Sequence, residues 1–337
     1  MLKSWAHDAK CAEYLRWLSA VCGLDLQFLG TDADAETIRP TAVTQPLLVA
    51  SGLVATYALA CELYRPWPIA DVVAGHSVGE LTAAAIAGAI GPEQAMVLAR
   101  ERGTAMARIA SKNDSGMAAI LGGDPAEVAA TIEDLGLVAV NDNGPGHVVV
   151  SGARQALVRL LEARPRRSRV VPLEISGGFH SIELAPVTEL LRGYARSMSA
   201  GVPRARLLSN ADGRVVRTGR EALDRIAVQV SSPVKWNLCM RRMEELGVTG
   251  ILEVPPAGTL TRIAHRAMPG VELFALDTVG QLDDACAFAV RHLGIASRAR
   301  ASRGGPAADH VPVTARPASP GNPSGSSYPS TTDREPP

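Results

Sequence analysis

The sequence predicts an α/β protein: a mostly parallel sheet covered by helices on both sides, with a second, smaller unit inserted into it. Three observations predict this. Short apolar runs alternate with helical patterns along most of the chain. Gly75-His76-Ser77-Val78-Gly79 follows one such run, Asp71 to Ala74, and opens onto an alanine-rich helical pattern from Glu80 to Ile90. Residues 115–181 read β-α-β-β-α-β, a split βαβ order that interrupts the alternation.

Taken in order, residues 1 to about 24 read as a helix, with Leu15, Leu18 and Cys22 at helical spacing. Pro46–Leu63 is apolar almost throughout and reads as a buried helix stopped by Pro66 and Pro68. The Val72 strand and the Ser77 turn follow, then a helix from Pro92, suited to a first helical position, to about Ile109. In the inserted unit, strands are expected at Met117–Leu121, Leu137–Val140, Val148–Val150 and Val170–Ile175, and helices at Pro125–Leu135 and Ala153–Ala163. Beyond it, helices are expected near Glu183–Met198, Arg220–Val230 and Val234–Leu246, and strands at Leu207–Ser209, Ile251–Val254 and Leu273–Leu276. The resulting division is a discontinuous large domain (1–114 and 182–296), a subdomain (115–181) and a tail (297–337). In the tail Pro, Ser, Gly, Arg and Thr dominate, and disorder is expected.

The serine turn carries the first chemistry. Glycines let a strand bend sharply into a helix, leaving the Ser77 hydroxyl exposed above the strand end. The Val78 amide, at the helix N-terminus, then faces negative charge developing on an attacked carbonyl. Ser77 is therefore a candidate nucleophile.

Composition removes several alternatives. The 34 basic and 34 acidic residues balance, so no global excess of positive charge argues for nucleic acid or an anionic membrane. Five cysteines, an odd number with no C-x-x-C pair, fit a reducing compartment without a disulfide framework or zinc site. No run of about 18 apolar residues is expected to cross a membrane, and the N-terminus, with Lys3, Asp8 and Lys10, does not read as a signal peptide. A cytoplasmic protein is expected.

A serine needs a base. His76 precedes it and should point away. His180, in Ser176-Gly177-Gly178-Phe179-His180-Ser181 between a strand and a helix, suits a base or a cap of the following helix; the residues alone leave both readings open. His7, His147, His265, His292 and His310 read as surface residues. Arg102 lies on the helix after the serine helix, with Gly103 leaving room beside it. A fixed guanidinium there suits a free carboxylate on the substrate, whereas a solvated helix residue paired with Glu101 or Glu93 is the plainer alternative.

Taken together, these segments resemble the malonyl-CoA:acyl-carrier-protein transacylase family, especially its actinobacterial members. The matching segments are Thr44-Gln45-Pro46-Leu47-Leu48, Gly75-His76-Ser77-Val78-Gly79-Glu80, Arg102-Gly103, Gly116-Met117-Ala118-Ala119-Ile120-Leu121-Gly122, Asn141-Asp142-Asn143-Gly144-Pro145-Gly146, Gly178-Phe179-His180, and Gln229 with Pro233-Val234-Lys235-Trp236. The resemblance implies a hydrolase-like α/β core with an inserted ferredoxin-like subdomain. It implies Ser77 as nucleophile, His180 as general base, Gln229 as the residue whose main-chain carbonyl orients the histidine, and Val78 as an oxyanion donor. Arg102 would clamp the malonyl carboxylate, with Gln45, Asn143 and Phe179 also binding substrate. A phenylalanine before the histidine goes with malonyl rather than methylmalonyl selection; discrimination of that size is worth about 1–3 kcal/mol. The resemblance implies malonyl-CoA and acyl carrier protein as partners and a monomer. It implies no metal and no cofactor, coenzyme A entering only as the substrate thioester.

Members of the family begin with a core strand and a Gly-Gln-Gly loop that supplies the second oxyanion amide. This sequence opens Met1-Leu2-Lys3-Ser4-Trp5, aligning just after that loop, and contains no Gly-Gln-Gly. Two expectations stand: a start assigned too far downstream, or a true truncation, where loss of one donor costs about 10²–10³ in rate. Pro255-Pro256-Ala257 also departs from the glycines of relatives. The run Arg164-Pro165-Arg166-Arg167-Ser168-Arg169 suits an acidic carrier protein or a solvated loop. Against malonyl transfer stand a serine thioesterase or hydrolase, and an inactive homologue that binds carrier protein.

Overall fold

The computed structural model describes residues 1–66, 68–175 and 177–293; the tail 297–337, like His310, lies outside the described residues. The N-terminal helix is broken where one helix was expected. A 3-10 turn, Trp5–His7, precedes α1 (Ala9–Cys22). Asp8 starts α1 by accepting the Cys11 N–H at 2.9 Å, as a short acidic side chain does at an N-cap. Two helices too short to show periodicity follow, α2 (Leu26–Thr31) and α3 (Ala35–Ile38), each started by an aspartate, Asp25 or Asp34. The next helix, α4 (Thr41–Glu62), is long and apolar enough by length and composition to span a membrane, which corrects the expectation that no such run exists. Most of it is buried inside the protein, as a core helix is.

The short strand β1 (Val72–Val73) leads through the Ser77 turn into α5 (Gly79–Ala87) and then α6 (Pro92–Ala110). Every residue of α5 from Glu80 to Ala87 is buried; the alanines let neighbours approach from all sides. Gly103 brings α6 against the start of α4: a Cβ there would lie 2.3 Å from the Thr41 carbonyl oxygen, and the Thr41 hydroxyl donates to the Gly103 carbonyl at 2.8 Å. The room Gly103 makes is thus for backbone, not for the guanidinium beside it.

Next come β2 (Ser115–Gly122), α7 (Pro125–Asp134), β3 (Val138–Asp142), β4 (His147–Ala153), α8 (Arg154–Glu162) and β5 (Ser168–Pro172). They form an antiparallel sheet in the order β5-β2-β4-β3. Side-chain alternation on β2 divides its residues between two cores. Ala118 and Ile120 meet Val128, Leu157 and Leu160 under α7 and α8, while Met117 and Ala119 join the main core.

The chain continues through α9 (Ala185–Ser197), β6 (Arg206–Leu208), β7 (Val215–Val216) and α10 (Gly219–Gln229). Val234 and Lys235, expected to begin a helix, instead form β8 (Val234–Lys235), parallel to β3 with Val234 opposite Asn141. The small sheet therefore gains a fifth strand from outside residues 115–181, and α11 (Trp236–Glu245) starts only at Trp236. The last elements are β9 (Gly250–Glu253), α12 (Thr259–Ala267), β10 (Glu272–Ala275) and α13 (Leu282–His292). Among the described residues the parallel pairs β1·β6 and β9·β10 lie in separate sheets, β1-β6-β7 and β9-β10, rather than in one. The carboxyl ends of β1 and β6 point to one place, where open α/β folds assemble their sites.

Candidate active site

Ser77 sits in the left-handed region, φ 52°, a conformation costing roughly 1–3 kcal/mol for a residue with a side chain unless its surroundings fix it. Gly75 is sterically obligatory: a Cβ there would lie 1.9 Å from the Gly79 carbonyl oxygen. Gly79 is not, since a Cβ there meets nothing within 4 Å. Val78 stands at the N-terminus of α5, and among the described residues its N–H has no acceptor.

His180 comes to Ser77 from a loop 103 residues away in sequence, its Nε2 2.7 Å from the Ser77 hydroxyl oxygen. It too has positive φ, 61°, and is buried. Its Nδ1 faces two carbonyl oxygens, Gln229 at 3.0 Å and Ser232 at 3.1 Å. Carbonyls only accept, so the proton resides on Nδ1, and the Nε2 lone pair is left to take the serine proton. Burial first, and the Arg102 charge second, push this imidazole down to about 3, so it is neutral at neutral pH.

Arg102 is 2 % exposed, which excludes the solvated-helix reading. Its Nη1 donates to Gln45 Oε1 at 2.6 Å; its Nη2 donates to the Ser77 hydroxyl at 3.2 Å and to Gln229 Oε1 at 3.1 Å. Burial lowers it to about 10, leaving it cationic at neutral pH. Three uncharged oxygens thus hold a buried guanidinium beside the nucleophile, and a carboxylate could replace them bidentately.

Serine, imidazole, guanidinium, Gln45 and Gln229 therefore converge. Asn143 is one step removed: its Oδ1 accepts from His76 Nε2 at 2.9 Å, turning His76 away from the hydroxyl. His147, expected at the surface, is half-buried against Asn143 at 3.4 Å. The Phe179 ring is buried in the main core next to His180.

Two buried residues were given no role by the sequence reading. Glu80, in the first turn of α5, lies beneath the serine turn with Oε1 accepting the Asn210 N–H at 2.7 Å and Oε2 accepting from Gln229 Nε2. Burial raises its carboxyl to about 7 against the hydrogen bonds and the Arg102 charge that oppose the shift. Asn210, fully buried, follows β6. Glu80 was visible in the Gly-x-Ser-x-Gly-Glu segment; Asn210 carried no local signal.

Comparison with known proteins places the chain. The family model described as "Acyl transferase domain" matches residues 2–301. The chain is 42% identical over 287 residues to the malonyl CoA-acyl carrier protein transacylase of Mycolicibacterium smegmatis, covering 84% of this chain and 98% of that protein. Its fold is similar to the crystal structure of MCAT from Mycobacterium tuberculosis, with TM-score 0.80 and 40% identity over 85% of this chain and 94% of that one. It is also similar to a malonyl-transacylase solved in complex with its type II PKS acyl-carrier protein, with TM-score 0.79 and 26% identity over 85% and 94% of the two chains.

Proposed function

The chain belongs to the malonyl-CoA–acyl-carrier-protein transacylase family, and we propose that it moves malonyl from coenzyme A to the phosphopantetheine thiol of an acyl carrier protein through a malonyl ester on Ser77. The observation that carries this reading is the position of the Ser77 hydroxyl, 2.7 Å from the His180 Nε2 lone pair and 3.2 Å from Arg102 Nη2.

In the first half-reaction His180 takes the hydroxyl proton as Ser77 Oγ bonds to the thioester carbonyl carbon. The Val78 N–H faces the developing oxyanion. Collapse breaks the carbon–sulfur bond, and the imidazolium returns its proton to the coenzyme A thiolate. The carrier thiol then repeats the steps in reverse roles, so no net redox change occurs. Arg102 binds the malonyl carboxylate, exchanging its contacts with Ser77 and Gln229 for the substrate. The incoming negative charge also cancels the positive charge beside His180, which makes the imidazole a stronger base when the acyl group is a dicarboxylate. The Phe179 ring beside His180 restricts the space for an α-methyl. A hydrolase of neutral acyl chains has no use for this buried cation, so an acyl group that carries a free carboxylate is favoured over a neutral one. The same reading puts the protein in the cytoplasm, where its five free cysteines stay reduced.

Incubation with malonyl-CoA and intact-mass analysis tests the reading. A single malonyl adduct is expected, absent in Ser77→Ala, and formed about 10²-fold or more slowly in Arg102→Ala as charge pairing and orientation are both lost. No adduct on the wild-type chain, or an unchanged rate in Arg102→Ala, overturns it.

A further inference from the structure

The ladder between β1 and β6 stops at Val73 opposite Leu207, two residues short of Gly75 and three short of Asn210. Beyond that point the chain must turn sharply through Ser77, yet the Gly75 carbonyl and the Ser77 N–H are left without strand partners. The Asn210 side chain supplies both. Its Nδ2 donates to the Gly75 oxygen at 2.8 Å, and its Oδ1 accepts the Ser77 N–H at 2.8 Å. One partner only accepts and the other only donates, so the amide has a single satisfactory orientation. A side-chain amide thus stands in for the next peptide group of the sheet: it spans His76 and pins the backbone that leads into the strained residue, whose carbonyl side is held by Gln229.

Asn210 is itself fixed. It is fully buried, and Glu80 Oε1 accepts its backbone N–H at 2.7 Å. The other oxygen of Glu80 accepts from Gln229 Nε2, which also donates to the Ser77 carbonyl at 2.8 Å and lies 3.3 Å from Asn210 Oδ1. The Gln229 main-chain oxygen in turn accepts from His180 Nδ1 at 3.0 Å. One buried network therefore spans the nucleophile's N–H, its carbonyl and the acceptor of the base. Such networks act as units when every member is satisfied.

We propose that Asn210 is a positioning residue for acyl transfer: its side-chain amide locks Ser77 in the left-handed turn that aims the hydroxyl at His180 and frees the Val78 N–H. The proposal rests on Ser77 being the malonyl-accepting residue. The locking itself concerns any electrophile that Ser77 attacks, which separates the two tests.

The experiment measures two rates per competent site on the full chain: labelling of Ser77 by an alkyl fluorophosphonate, and formation of the malonyl adduct. Asn210→Ala is expected to slow both rate constants about 10²-fold, the cost of an ångström-scale misplacement, with KM for malonyl-CoA little changed and the labelled fraction near that of wild type. Asn210→Asp keeps an oxygen for the Ser77 N–H and gives up the donor to Gly75; it is expected to recover part of that loss. A wild-type rate constant in Asn210→Ala, whether or not the labelled fraction falls, overturns the proposal, because it assigns Asn210 to folding alone. If the alanine variant does not fold, wild-type labelling by the near-isosteric Asn210→Leu, which lacks both the acceptor and the donor, overturns it equally. Wild-type protein that takes the phosphonate but no malonyl would sink the functional reading and leave the positioning role intact.

Discussion

Ser77 and His180 are both side-chain-bearing residues in the left-handed region, at φ 52° and 61°, yet they are held by opposite means. The serine turn is fixed from within its own segment and from directly beneath: Gly75 admits the Gly79 carbonyl, and the Asn210 amide clasps the backbone at Gly75 and at the Ser77 N–H. Among the described residues the histidine turn is held through its backbone by a side chain, the Gly178 N–H donating to the Ser115 hydroxyl at 2.9 Å. Its imidazole is held by the carbonyls of Gln229 and Ser232, 49 and 52 residues further along the chain. A nucleophile placed by a local motif and a base placed by remote backbone have different weaknesses, and different parts of each are written in the sequence.

The largest expected effect comes from removing the base. His180→Ala is expected to slow malonyl-adduct formation about 10²–10⁴-fold. A fall of less than tenfold by rapid-quench mass analysis would return His180 to the role of a helix cap.

Two glycine substitutions compare the turns directly. At Gly75 an added Cβ meets backbone at 1.9 Å; at Gly178 it meets the Ser151 hydroxyl at 2.4 Å, a side chain that can be cut away. Gly75→Ala is expected to cost upward of about 3 kcal/mol and to remove Ser77 labelling. Gly178→Ala is expected to cost less and to regain stability when combined with Ser151→Ala. Equal urea midpoints for the two single variants would break the distinction.

Proton titration separates the regions by sign. His180 is held down to about 3 from an ordinary 6.5, so the stability tied to its neutral form is complete above pH 6.5 and is lost as pH falls toward about 3. Glu80, raised from 4.5 to about 7, contributes stability that is complete below pH 4.5 and is lost as pH rises through about 7. The Tm of Glu80→Gln relative to wild type is therefore expected to rise between pH 4.5 and 8. Ser77 labelling in the wild-type protein should show no acid limb near pH 6.5. A limb there would mean that the imidazole is not desolvated.

The smallest effect is expected at Asn143, which touches His76 rather than the serine. Asn143→Ala should lower kcat/KM by about fivefold, the worth of one neutral hydrogen bond of about 1 kcal/mol. A hundredfold loss would show that this side chain meets the substrate directly.

The asymmetry also explains what the residues disclosed. The serine turn was legible because its geometry demands a glycine at a fixed offset from the serine, and the small antiparallel sheet because its strands are short apolar runs set off by turn-rich segments such as Asn141-Asp142-Asn143-Gly144-Pro145-Gly146. Arg102 was visible only as a residue type. Its burial depends on α6 meeting α4 across Gly103, a contact no periodicity encodes. Asn210 was invisible because a side chain standing in for a peptide group needs no motif, only a place beyond the end of a strand. The helices α2 and α3 were missed for their shortness, although Asp25 and Asp34 mark their starts. Val234–Lys235 read as helix because a strand of two residues has no period.

That two-residue strand has a mechanical consequence. Ser232, whose carbonyl grips the imidazole, is only two residues from Val234, which is stitched to Asn141 at the rim of the small sheet. The segment is a short tether: if the small sheet rocks to admit a bulky thioester, the tether transmits the motion to the carbonyl that steers the proton acceptor. Any such movement of the small sheet would be geared to the alignment of the acid–base group by one stretch of main chain.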